Sequence, residues 1–208
     1  MNPTSNVISW TSRNRRPLLV AAVMAGLMLL PVPAPAHKGH SGPMIDFIAT
    51  NDALKAMLPD GAHVTRRKEA IKAAGAAWAQ SSLGVALDDD DIHTYLLARD
   101  KGTDRVLGAA MDRDFDYEHG DLKLAIGVDP AGKVTKAAVL GTNEKYVDEI
   151  KKGVGTGFLA DLEGATVQDL SARSDAAYKA RNNTAGDVIG HLRDMAAALA
   201  TLTHGLQA

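Results

Sequence analysis

Apolar positions along the chain begin with one unbroken block, residues 18–30, thirteen positions without a charge. Arg13, Arg15 and Arg16 precede the block and Ala34-Pro35-Ala36 follows it. A basic start, a short apolar core and a small-x-small site together predict an export signal, residues 1–36, cleaved near Ala36. Thirteen residues fall short of the roughly 20 that a bilayer span needs, which counts against the alternative of a retained anchor. Adjacent Arg15-Arg16 leaves both the general and the twin-arginine export routes open.

Beyond a flexible leader, residues 37–43, the spacing becomes helical. Ile45, Ile48, Ala49, Leu54 and Met57 predict a helix over residues 44–57, stopped by Leu58-Pro59-Asp60-Gly61. Thr65 is the candidate cap of a second, alanine-rich helix over residues 66–80. Strand-like stretches then take over. Residues 92–99 and 105–111 read as a hairpin about Asp100-Lys101-Gly102-Thr103-Asp104. A charged excursion, residues 112–120, leads to a second hairpin. Its apolar run, residues 122–128, turns at Asp129-Pro130-Ala131-Gly132-Lys133 and returns toward Val139-Leu140. Val188, Ile189, Leu192, Met195, Leu199 and Leu202 recur at helical spacing behind Thr184 as the expected cap. Short connections favour antiparallel pairing. The expected fold is therefore α+β: a four-stranded antiparallel meander packed with N-terminal and C-terminal helices, in one domain over residues 44–208.

Composition narrows the chemistry. Removal of residues 1–36 leaves 172 residues, enough for one core, with 20 basic against 25 acidic side chains. That balance argues against a nucleic-acid partner. The chain has no cysteine, which excludes disulfides, thiolate iron–sulfur centres, c-type haem and thiol redox chemistry. Asp88-Asp89-Asp90-Asp91 supplies oxygen ligands, yet lacks the spacing and turn glycine of a calcium loop, and reads better as a solvated run. His37 and His40, joined by the new α-amine, offer nitrogen to Cu(II) or Ni(II), so periplasmic metal handling is one alternative role. His63, His93, His119 and His191 are scattered, and no Gly-x-Ser-x-Gly or Walker A pattern occurs.

The second hairpin leaves one question open. It runs into Thr142-Asn143-Glu144-Lys145-Tyr146, a charged segment, and then the glycine-rich Gly153-Val154-Gly155-Thr156-Gly157-Phe158. Gly127-Val128-Asp129, Gly132-Lys133, Val139-Leu140 with Glu144-Lys145-Tyr146 and Glu149, and Phe158-Leu159-Ala160-Asp161-Leu162-Glu163-Gly164 follow in a fixed order. Order and spacing together resemble the FMN-binding domain family, which includes flavin subunits of the sodium-translocating NADH:quinone reductase and of the Rnf complexes, and small exported relatives. The resemblance spans most of residues 54–204.

It implies a flavin domain in which the hairpin is a platform and the following loop is one wall of the site. Glu144, Tyr146, Gly153, Gly155 and Gly157 would then shape the ring pocket. Without the resemblance, the three glycines read as a loose surface loop. Flavinylated members carry FMN on a Thr or Ser just before the last helix. Here Asn182 stands at that position, with Asn183 and Thr184 after it, and an amide forms no phosphoester. Glu163-Gly164-Ala165-Thr166 imitates the attachment motif, but lies too far upstream of the last helix. The resemblance thus implies FMN held without a covalent bond by Asn182, Asn183 and Thr184. The expected role is electron carriage to a redox partner in the periplasm or membrane. The alternative is a relative that has lost flavin and acts as a binding or scaffold protein.

Overall fold

Strands dominate the middle of the chain, where the apolar runs are buried almost continuously because helices close both faces of the sheet they form. The structure is a computed structural model that describes residues 41–206. The expected export signal, and His37 and His40 of the leader, lie outside the described residues. In chain order the elements are β1 (Met44–Asp46), α1 (Thr50–Ala56), β2 (His63–Ala70), α2 (Ala73–Trp78) and β3 (Ile92–Arg99). β4 (Val106–Tyr117), β5 (Gly120–Val128), β6 (Val134–Asn143), α3 (Val147–Gly153), β7 (Gly157–Phe158), α4 (Val167–Lys179) and α5 (Asn183–His204) follow.

All pairings are antiparallel, in the order β1-β6-β5-β4-β3-β2, with β7 also on β6. The fold is α+β with an antiparallel sheet and helices. The sheet has seven strands, however, where the sequence pattern predicts four. β2 falls where a helix is expected. Its inward positions are Thr65, Arg67 and Glu69, and the last two are joined: the Arg67 Nε donates to Glu69 (2.7 Å), and the Tyr95 hydroxyl donates to the same carboxylate (2.9 Å). Pairing with β3 along eight residues satisfies the backbone groups on that side of this edge strand. The alanine-rich stretch becomes helical only from Ala73, and runs on in a wider turn through Leu83. The helix expected over residues 44–57 divides into β1 and α1, because Met44, Ile45 and Asp46 pair with Asn143, Thr142 and Gly141. β4 continues through the charged stretch, with Asp112 to Asp116 paired to β5.

The two faces of the sheet differ in side-chain size. One presents Leu97, Met111, Leu122, Leu124, Ile126 and Val139 to Val188, Leu192, Met195 and Leu199 of α5, all nearly solvent-free. Burying each large apolar side chain contributes about 1.5–3 kcal/mol, so this face carries most of the core. The other face presents Ala98, Ala110, Ala125, Ala138 and Leu140 to Ala53 and Leu54 of α1 and to Met57 just after it. Among the described residues no helix is long and apolar enough to cross a membrane.

Candidate functional site

Both β1 and β7 lie on the same edge of β6, and the chain between α3 and α4 is wrapped along that edge. α3 ends at Gly153, where the N–H groups of Val154 and Gly155 both donate to the Ile150 carbonyl at 3.0 Å. Gly155 and Gly157 have φ of +98° and +75°, in the left-handed region that a side chain disfavours. The reversal at these glycines sets Gly157 opposite Val139 and lets the Leu159 N–H donate to the Ala137 carbonyl (2.9 Å). A single tight turn, Ala160–Leu162, completes the segment.

The start of α5 is fastened to this loop. Asn182, not Thr184, is the cap: its Oδ1 accepts from the Ala185 N–H (3.2 Å), and its Nδ2 donates to the Gly153 carbonyl (2.8 Å). Thr184 sits one turn position inside the helix and is buried. Its hydroxyl donates to Glu149 Oε1 (2.9 Å). The Tyr117 hydroxyl lies 2.6 Å from the same carboxylate oxygen and 3.1 Å from Thr184 Oγ1. Burial, and then the hydrogen bond to Glu149, push the Tyr117 phenol up to about 12. A Cβ on Gly153 would lie 2.8 Å from both Cβ and Cγ2 of Thr184, so the contact between α3 and α5 requires glycine.

Loop, turn and helix start line an open cleft of about 450 Å³. Val154, Leu159, Leu162, Ala185 and Ile189 form its apolar walls. Phe158, 42% exposed, stands at its mouth with the Lys136 ammonium 5.4 Å from the ring centre. Thr156, Asp161 and Arg173 supply its side-chain polarity.

Of the residues singled out from sequence, Gly153 and Gly155 line this cavity, and Gly157 lies beside it in β7. Asn182 and Thr184 stand behind the wall with their side chains engaged inside the protein. Asn183 is exposed at the first position of α5. Glu144 and Tyr146 do not line the cavity. Glu144 is exposed beside Gly42, its N–H donating to the Pro43 carbonyl (2.8 Å). Tyr146 is buried, edge-on to Tyr117 with ring centres 5.4 Å apart, and its hydroxyl accepts from the His119 N–H (3.1 Å). It supports Tyr117, and through it Thr184, from behind. Arg173 and Ile189 were not marked as site residues by the sequence. Nothing local distinguishes Arg173 from Arg181 or Arg193. Ile189 registers only as one member of an apolar helical repeat.

Thr166 has a structural role. It caps α4, accepting from the Asp169 N–H (3.1 Å) while the Asp169 carboxylate accepts from the Thr166 N–H (2.9 Å). Asp91 pairs with Arg113 (3.0 Å), beside the buried His93 (3.7 Å). Among the described residues no group of three or more His, Asp or Glu side chains is arranged to hold a metal ion.

The described residues at the cavity offer a flat aromatic ligand apolar walls and an exposed aromatic, with Arg173 as a cation and Asp161 as an anion in the lining and Lys136 over the Phe158 ring. They do not fit a covalent phosphoester, since Asn182 is an amide and the Thr184 hydroxyl is committed to Glu149. No protein-family model, curated protein or solved structure matches the chain.

Proposed function

We propose that this chain is an exported protein that holds FMN without a covalent bond and carries electrons between redox partners in the periplasm or membrane. One observation carries the reading. The loop after the second hairpin and the start of the last helix, separated in sequence by α4, line one cavity of about 450 Å³. That volume falls in the range of roughly 300–1,000 Å³ typical of small-molecule clefts.

Bound flavin supplies one- and two-electron chemistry that no side chain here provides. The chain's own residues bind and orient. Val154, Leu159, Leu162 and Ile189 exclude water from one side of the ligand. The Asn182 amide, bridging Gly153 and Ala185, holds the two halves of the cavity together before anything binds. The amino-terminal end of α5, a 22-residue helix, favours negative charge nearby. Phe158 leaves the mouth open to a partner. The test is the absorbance of protein purified from its own periplasm, followed by denaturation. Flavin bands that leave with the supernatant support the reading, and flavin retained on the precipitated chain contradicts non-covalent binding.

A second reading, a flavin-less binding or scaffold protein, is favoured by one specific observation. The side chains of Asn182 and Thr184 are already hydrogen-bonded within the fold. Absence of flavin bands, together with no quenching of added FMN, selects it.

A further inference from the structure

We infer that Arg173, rather than the Asn182–Thr184 turn, selects for the anionic tail of the ligand; this rests on the flavin reading above. Arg67, Arg99, Arg113 and Arg193 each pair with a carboxylate within 4.0 Å. Arg173 has no such partner among the described residues. Its one hydrogen bond is NH1 donating to the main-chain carbonyl of Asp161 at 2.6 Å. A guanidinium has five N–H donors in a rigid fork, so four remain for a ligand. The carbonyl holds the group against the turn, Ala160–Leu162, while Asp169, one turn earlier on α4, senses its charge without forming an ion pair within 4.0 Å.

Arg173 is the one cation among the residues lining the cavity, and Asp161 is the one anion. The two act in opposite senses on a negatively charged ligand. Asn182 has its amide oxygen on Ala185 and its amide nitrogen on Gly153, and the Thr184 hydroxyl is given to Glu149. Neither side chain turns to a phosphate without breaking a bond that joins α5 to α3. Arg173 binds one without breaking anything. A planar fork matches phosphate oxygens two at a time, so an aromatic ligand with a phosphate tail is preferred over the same ring lacking it.

The test compares FMN with riboflavin, which share a ring and differ in the phosphate, by fluorescence quenching on the purified protein. Wild type is expected to bind FMN about tenfold more tightly than riboflavin, the scale of one charge-assisted hydrogen bond at a solvent-accessible position. Arg173→Ala should remove that preference and leave riboflavin affinity unchanged. Arg173→Lys should keep part of it. Asp161→Asn should increase it, because the opposing charge is gone while the carbonyl that holds the guanidinium remains. Arg173 is exposed, so these variants should unfold at the wild-type denaturant concentration, which circular dichroism checks. An undiminished FMN preference in Arg173→Ala, or equal binding of both compounds by wild type, overturns the inference and leaves flavin binding standing. If wild type binds neither compound, the flavin reading fails and this inference falls with it.

Discussion

Two helices in this chain begin beside a threonine, and the two hydroxyls are used differently. At α4, Thr166 and Asp169 exchange hydrogen bonds over three residues, a closed local arrangement that explains both side chains. At α5, Thr184 reaches Glu149 and Tyr117, which are 35 and 67 residues away in sequence. The cap there is Asn182, whose second bond goes 29 residues back to Gly153. A threonine that resembles an attachment site is thus a self-contained helix start in one case. In the other it joins α5 to the sheet and to α3, the helix that leads into the loop lining a cavity. Local motif and long-range role come apart between them.

The sharpest way to break this contrast is at the glycines. Gly153→Ala drives a methyl to 2.8 Å from Thr184, in packing that cannot yield without moving α5. Overpacking of this kind costs about 1–3 kcal/mol, measurable by urea unfolding, and FMN binding should weaken with it. Gly164→Ala, just before α4, has open space around the new methyl and only its positive φ (+76°) to strain it, a cost of about 1 kcal/mol, with no effect on binding.

The hydroxyls come next. Thr184→Val takes one partner from a partly buried network and should cost about 1 kcal/mol, because the buried Tyr117 is left less well satisfied. Thr166→Ala removes a cap and should cost about 1 kcal/mol. In double-mutant cycles Thr184→Val should couple to Tyr117→Phe, whereas Thr166→Ala should add to it within about 0.5 kcal/mol.

Opposite ends of the pH scale separate the two helix starts more gently. Tyr117 is held above the ordinary tyrosine value, up to about 12, so the folded state keeps its proton longer than the unfolded chain. Its contribution is complete below about pH 10 and is lost as pH rises from there toward 12. Asp169 is held below its ordinary value, first by the Thr166 N–H and then by the Thr166 hydroxyl. Its contribution is present above about pH 4 and is lost as pH falls through the folded value. Tyr117→Phe should therefore flatten the alkaline limb of a stability-against-pH curve, and Asp169→Asn the acid limb, each leaving the other limb in place.

What the sequence disclosed follows the same division between local and distant interactions. The four central strands were legible, since buried Leu97, Met111, Leu124 and Val139 lie within apolar or alternating runs bounded by turn residues. β2 was hidden because an edge strand can place Thr65, Arg67 and Glu69 inward, with Glu69 accepting from both Arg67 and Tyr95 of β3, which leaves no apolar period to detect. β1 was hidden because three residues become a strand only through their partners on β6, about a hundred positions later. At the candidate site, Gly153 and Gly155 were singled out through the resemblance alone, since their density by itself reads as a loose surface loop, and both line the cavity. Glu144 and Tyr146 were drawn in by proximity in sequence, and the chain turns them away from the cavity. Arg173 and Ile189 enter because α4 and α5 pack side by side, as the Ser174 hydroxyl bonded to the Gly186 carbonyl (2.8 Å) records. No local pattern announces such a neighbour.

The central claim is that FMN occupies the cavity between the glycine loop and the start of α5. Thr156 lines that cavity from a half-buried loop position, so Thr156→Trp fills the space with little demand on the core. The most direct measurement is a quenching titration of FMN against wild type and Thr156→Trp, with thermal unfolding of both as the control. Saturable quenching by wild type that is lost in Thr156→Trp, at unchanged thermal stability, is the predicted result. No quenching by wild type, or equal quenching by the two proteins, contradicts the account.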